Sequence, residues 1–264
     1  MTMRIAVISP DRRQGGTTAS ILLALAMAET QNLTSCITYT GNNNISMSSY
    51  LGITKVEDRT RNLTQVIKLL EANLITGKEI GDYCTKIGSN IQILDTASSS
   101  ITDEDNAKLL EYALEHLSHD VVITDVATEL YDPVTQAVLD KSDLIVMVLS
   151  QSQDIFRKLK VWHEEGVLEE LDRRGLVFLL NQFDPYVGAF RDYSKKLGFP
   201  HRRFCKISYN PFVKKESNVG KLHTIMPRIV KNDYRMIELN NDIRECLMVI
   251  LSNLGRVTVW GDES

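Results

Sequence analysis

Five short apolar runs, rich in β-branched residues, constrain this chain more than any other feature: residues 3–9 (MRIAVIS), 35–40 (SCITYT), Val121–Asp125 (VVITD), Leu144–Leu149 (LIVMVL) and 176–180 (LVFLL). The first is nearly continuous rather than alternating, which is how a strand reads when both faces of its sheet are covered. Between the runs lie segments of helical character. Residues 17–30 are dominated by Ala, Leu and Met with no Gly or Pro inside. Residues 61–74 carry Leu63, Val66, Ile67, Leu70 and Leu74 at helical spacing, and 103–117, 132–139, 154–171 and 189–197 are further expected helices. Short strands are expected at 91–95 and 203–207, turns at 41–44 and a loop at 208–211. A last long helix, 233–254, sets Met236, Leu239, Ile243, Leu247, Ile250 and Leu254 along one side. Strands alternating with helices predict an α/β fold, a doubly wound, mostly parallel sheet with helices on both faces. No Pro/Gly/Ser-rich linker and no internal repeat interrupts the pattern, so one domain spanning 1–264 is expected.

The 264 residues suffice for a sizeable core, and 43% apolar with 24% charged residues is ordinary for a soluble globular protein. No apolar run approaches the ~20 residues of a membrane span, and the N-terminus lacks a signal peptide's pattern. A cytoplasmic protein is expected. Cys36, Cys84, Cys205 and Cys246 are scattered, with no CxxC and no histidines at ligand spacing, so isolated buried thiols are expected rather than metal or redox chemistry.

Open α/β sheets place their chemistry at the carboxyl ends of the strands. Three ends are informative here. After the first strand comes Gln14-Gly15-Gly16-Thr17-Thr18: the glycines permit close backbone approach, the following helix offers unpaired N–H groups to an anion, and a Thr hydroxyl can ligate magnesium. Asp125 closes VVITD, where a magnesium-organising carboxylate belongs, though a strand-end Asp can equally cap a turn. Asn181 follows LVFLL, where a side-chain amide can read the edge of a base or satisfy loop backbone.

Taken in this order, the three ends resemble the ParA/MinD superfamily of deviant-Walker ATPases over most of the chain. The family's phosphate loop, KGGxGKTT, is matched in place by Asp11-Arg12-Arg13-Gln14-Gly15-Gly16-Thr17-Thr18. The resemblance implies a P-loop fold and ATP or ADP with magnesium as cofactor. By position, Gly15, Gly16, Thr17 and Thr18 would meet the phosphates, Thr17 and Asp125 the magnesium, and Asn181 the adenine.

The departures are as informative. Gly16 stands where the family has its phosphate-binding lysine, and Asp11 where it has the signature lysine that reaches across a dimer. Arg12 and Arg13 are the cations left in the loop to substitute. The DxDPQ motif that follows the family's second strand is absent, since Tyr39 to Asn44 (YTGNNN) holds no Asp or Glu. Losing the two lysines weakens phosphate binding and transition-state stabilisation, so, with the DxDPQ carboxylates also missing, at most a weak ATPase is expected, with no catalytic residue assigned. The small residue in place of the loop lysine, together with Asn181-Gln182-Phe183-Asp184-Pro185, is similar to the CpaE/TadZ branch of pilus-secretion localisation factors. The first strand begins at residue 3, so the receiver-like domain often found in front of that branch is not expected here.

Charge is unevenly spread. Residues 191–231 contain eleven Lys and Arg against two acids, a balance of +9 in a chain of net charge −4. Such asymmetry points to a polyanionic or acidic partner, or to a solvated basic face balancing an acidic one. In ParA proteins, which the chain resembles, this part of the fold contributes to non-specific DNA binding; Arg202, Arg203, Lys214 and Lys215 are the candidate contacts. The last helix has two arginines, Arg235 and Arg244, against Asp233, Glu238, Asp242 and Glu245, so anionic lipid would repel it and packing on the body of the domain is expected. The resemblance implies a positioning or assembly protein for DNA partition, conjugation or secretion, with a degenerate ATP site and a homodimer. A nucleotide-independent scaffold and a DNA-binding module are the alternatives.

Overall fold

The computed structural model describes residues 2–40, 45–53, 63–95, 103–126, 129–231 and 233–256. Eight strands, β1 (Met3–Ile8), β2 (Ser35–Tyr39), β3 (Thr85–Lys86), β4 (Ile91–Ile93), β5 (Val121–Asp125), β6 (Leu144–Leu149), β7 (Leu176–Phe183) and β8 (Phe204–Ser208), form one sheet in the order β3-β4-β2-β5-β1-β6-β7-β8. Every pairing is parallel except the antiparallel β3–β4 edge. The expected α/β class is therefore what forms. β1 lies at the centre, and its neighbours β5 and β6 come from opposite directions of winding. That makes the end of β1 the topological switch point, where crevices form in such sheets.

The near-continuous apolar runs follow from burial on both faces. Along β1, Ile5 and Val7 enter one core while Ala6 and Ile8 enter the other; β6 divides likewise, with Leu144, Val146 and Val148 opposite Ile145, Met147 and Leu149. The first core is covered by α1 (Gly16–Thr30), α2 (Ile45–Leu51), α10 (Ile225–Val230) and α11 (Ile237–Asn253). The second is covered by α3 (Leu63–Glu71), α4 (Asp103–His116), α5 (Pro133–Lys141), α6 (Gln153–Glu164), α7 (Val167–Asp172) and α8 (Phe190–Leu197). α1 buries every residue from Ala19 to Ala28, so it is apolar all round rather than amphipathic. α11 buries Leu239, Ile243, Cys246, Leu247, Ile250 and Leu251, and so packs on the body of the fold as its charge predicts.

Several boundaries differ from the sequence expectation, each for a local reason. The helix expected over 154–171 is two helices, because Gly166 adopts φ 77° and ends α6 before α7 begins. The helix expected to reach Leu74 stops at Glu71: Asn73 is left-handed at φ 54°, and N–H groups of Leu74 and Asn73 return to the carbonyls of Leu69 and Leu70 in a Schellman motif. Leu74 is consequently exposed. Residues 61–62, and the turn expected at 41–44, lie outside the described residues. The expected loop 208–211 instead ends at a helix, α9 (Pro211–Asn218), whose cap Asn210 accepts from the N–H groups of Phe212 and Val213. The four cysteines are buried, as expected, but they are not isolated. Cys36 and Cys84 place their Sγ atoms 3.9 Å apart, and Cys246 lies against Cys205. The Cys84 thiol and burial push the Cys36 thiol well up, and burial and the Cys205 thiol do the same for Cys246, which keeps both protonated and unreactive.

Candidate functional site

The switch point is built by the turn from β1 into α1. Gly15 caps α1 in the left-handed region at φ 85°, and a Cβ there would lie 2.0 Å from Asn181 Nδ2. Only glycine fits this position. The first intrahelical bond runs from Ala19 N–H to Gly15 O, 2.9 Å, so the amides of the opening turn point out of the helix end with no acidic side chain in the first turn to occupy them. A backbone anion cradle is thus present without the lysine of the resembling motif. At Gly16 a Cβ would stand 3.0 Å from Ser9 Oγ and 3.4 Å from Asp125 Oδ1, so the missing side chain leaves room beside the carboxylate.

Asp125 ends β5 in register with Val7 on one side and Tyr39 on the other, which sets it directly beside the start of the loop. Its carboxylate is buried and accepts a hydrogen bond from the Thr17 hydroxyl at 2.6 Å. Burial raises its pKa to about 6, partly opposed by the Thr17 hydroxyl. The two residues singled out as metal ligands are therefore brought together. Among the described residues no group of three or more His, Cys, Asp and Glu is placed to hold a metal. A magnesium between Thr17 and Asp125 would draw its remaining ligands from water and phosphate oxygens.

Asn181 sits at a bulge rather than at a strand end. β7 continues to Phe183, and the register against β8 shifts between Asn181 and Phe183, with Gln182 at φ 51°. The bulge turns Asn181 toward the loop, where its Nδ2 donates to Gln14 O at 3.0 Å. Asn181 also lines a cavity of about 260 Å³ together with Thr18, Tyr50, Tyr209, Asn210 and Lys214. The cavity thus continues from the helix end along the pocket between α1, β8 and α9.

Contacts invisible to spacing hold the loop. Gln14 Oε1 accepts from Ser150 N–H at 2.9 Å, and Lys158 Nζ, from α6, donates to Pro10 O. Arg12 turns outward to Glu129 at 3.1 Å, both largely exposed, and Arg13 takes a left-handed φ of 65° where the resembling motif has glycine. The sheet also brings a carboxylate to the edge where the second-strand motif is missing: buried Asp95 accepts from the Tyr39 hydroxyl.

The four basic candidates do not share one patch. Arg202 and Arg203 precede β8 while Lys214 and Lys215 follow it on α9, so the pairs stand at opposite ends of a strand about 17 Å long. Arg203 is paired with Asp172, Lys206 with buried Asp242, and Arg228 with buried Glu216. Arg202 and Lys215 are exposed, and Lys214 lines the cavity.

No protein-family model and no curated protein matches the sequence. Solved structures do. A ParA family ATPase from Chlorobium tepidum superposes with TM-score 0.69 at 16% identity, over 94% of this chain and 98% of its own. A putative plasmid partition protein from Borrelia burgdorferi, bound to AMPPNP, gives TM-score 0.68 at 16% identity over 96% and 99%. The septum site-determining protein MinD from Pyrococcus horikoshii, complexed with Mg-ADP, gives 0.66 at 15% over 95% and 96%. Likeness at this identity and near-full coverage establishes architecture: the chain has the fold of the ParA and MinD ATPases, with a switch-point loop of its own composition.

Proposed function

We infer that this protein is a ParA/MinD-like positioning or assembly protein whose switch-point site binds ATP or ADP with magnesium and hydrolyses it weakly or not at all. The observation that carries the reading is the Thr17–Asp125 pair at the open end of α1, beside the left-handed Gly15 turn and the cavity that Asn181 lines. Phosphates would lie on the backbone from Gly15 to Thr18, magnesium would be held by Thr17 and Asp125, and the base would enter the cavity by Asn181. When bound, magnesium would neutralise phosphate charge and draw Asp125 into its ionised form. Gly16 and Asp11 supply no cation to the transferring phosphoryl group, which is the reason for slow chemistry. Neighbours of the same fold bound to AMPPNP and complexed with Mg-ADP support the nucleotide reading.

The reading extends to one domain acting in the cytoplasm as a homodimer, with a protein partner from a partition, conjugation or secretion machine. The glycine in the loop favours the CpaE/TadZ-like branch. Among the described residues no helix is long and apolar enough to cross a membrane. Calorimetry with ATP, with and without magnesium, tests the site. Magnesium-dependent binding is expected, lost in Asp125→Ala, with turnover at least about a hundredfold below the ~10 s⁻¹ typical of enzymes. Absence of binding at millimolar ATP removes the reading in favour of a nucleotide-independent scaffold.

A further inference from the structure

The loop that would hold several phosphate charges has no lysine of its own, yet one reaches it from another element. α6 leaves the end of β6, and β6 lies against β1 in the sheet with Val146 beside Val7 and Met147 beside Ile8. The segment between β6 and α6 therefore runs past the switch-point loop and is tied to it by the Ser150–Gln14 bond. One and a half turns into α6, Lys158 extends its ammonium to Pro10 O, at the start of the loop. The Trp162 ring lies 5.5 Å from Nζ and flanks the ammonium in a cation–π contact.

Lys158 differs from the other cations nearby in what it leaves unused. Arg12 is engaged by Glu129, and Lys206 of β8 by Asp242. Lys158 meets a neutral carbonyl, and no carboxylate pairs with it among the described residues. A carbonyl takes one of an ammonium's three N–H groups, which leaves two donors and a full positive charge beside the start of a loop that has no lysine of its own. The hydrogen bond to Pro10 is exchangeable, because an anionic oxygen is a stronger acceptor than a neutral carbonyl.

We propose that Lys158 of α6 is the phosphate-binding cation of this protein, supplying from outside the loop the charge that Gly16 does not. The proposal rests on the nucleotide reading above and adds to it the residue that distinguishes a polyphosphate from a nucleoside. It makes phosphate recognition depend on α6, an element whose sequence lies far from the loop.

The test compares ATP and adenosine binding by calorimetry in the full chain with magnesium, for the wild type, Lys158→Gln, Lys158→Arg, Arg13→Gly and, as a charge-matched control on the same helix, Lys160→Gln. Glutamine keeps a donor for Pro10 but not the charge, so a purely structural clamp would survive it. The expected result is ATP binding about 10- to 100-fold weaker in Lys158→Gln, the range of a charged hydrogen bond, with adenosine binding unchanged and ATP binding largely restored in Lys158→Arg. Lys160→Gln is expected to match the wild type, since that lysine is exposed and paired at 3.8 Å with Glu164. Wild-type ATP binding that Lys158→Gln leaves intact overturns the assignment of Lys158 alone. A loss in Arg13→Gly with none in Lys158→Gln does the same and transfers the role to the loop arginine. A wild type that binds neither ATP nor adenosine overturns both the assignment and the nucleotide reading beneath it.

Discussion

Asp125 is held in a state that costs the apo protein stability near neutral pH. Its pKa rises from 3.8 to about 6 because burial disfavours the carboxylate, and the single Thr17 hydroxyl does not compensate. A raised acid pKa contributes stability below about pH 4, and that contribution disappears as pH climbs through about 6. Asp125→Asn keeps an acceptor for Thr17 and removes the ionisation. The variant should therefore gain on the wild type by about 2–3 kcal/mol between pH 4 and pH 7.5, measured by urea unfolding at both pH values. A constant difference across that range would refute the burial argument. The identity of Asp125, Thr17 and the two glycines as a group was legible in the sequence, because each stands at the end of a strand or the start of a helix. That Asn181 Nδ2 rests on Gln14 O was not, since the bulge that aims it depends on how β7 pairs with β8.

At the scale of elements, local backbone chemistry explains where the periodic pattern misleads. Apolar spacing runs through 154–171 without a break, yet Gly166 splits it, and nothing lies within 4 Å of a Cβ built there. Gly166→Ala should accordingly cost about 1 kcal/mol, all of it from the left-handed backbone, read as a lower urea midpoint with unchanged slope. A loss of 3 kcal/mol or more would mean a steric role that the open space contradicts. α9 escaped notice because its eight residues carry little apolar pattern; the Asn210-Pro211 cap was the signal available. It matters for function, since α9 and the turn before it form one wall of the cavity. Buried Asp242 of α11 anchors that turn from below, accepting from Ser208 N–H at 2.7 Å and from Lys206.

For the whole molecule, the loop's missing lysines bear on assembly. A homodimer whose closure depended on a cation reaching across to nucleotide would change mass with ATP. With Asp11 in that place, the proposed dimer should sediment identically with and without Mg-ATP, and a nucleotide-driven shift in sedimentation coefficient would count against it. The basic stretch 191–231 reads as one feature along the chain but is divided by β8 and partly neutralised by Asp172 and Asp242, which lie outside it. Linear charge density could not reveal this, because those partners come from α7 and α11. By itself, the sequence determined the doubly wound parallel sheet and the place of the switch-point loop. Both follow from strand runs buried on two faces and from a glycine turn opening a helix, which are local and periodic signals. Only the tertiary structure decided which side chains serve that loop. The contacts of Lys158, Ser150 and Asn181 join residues distant in sequence, and sheet order and strand register, not spacing, set them side by side.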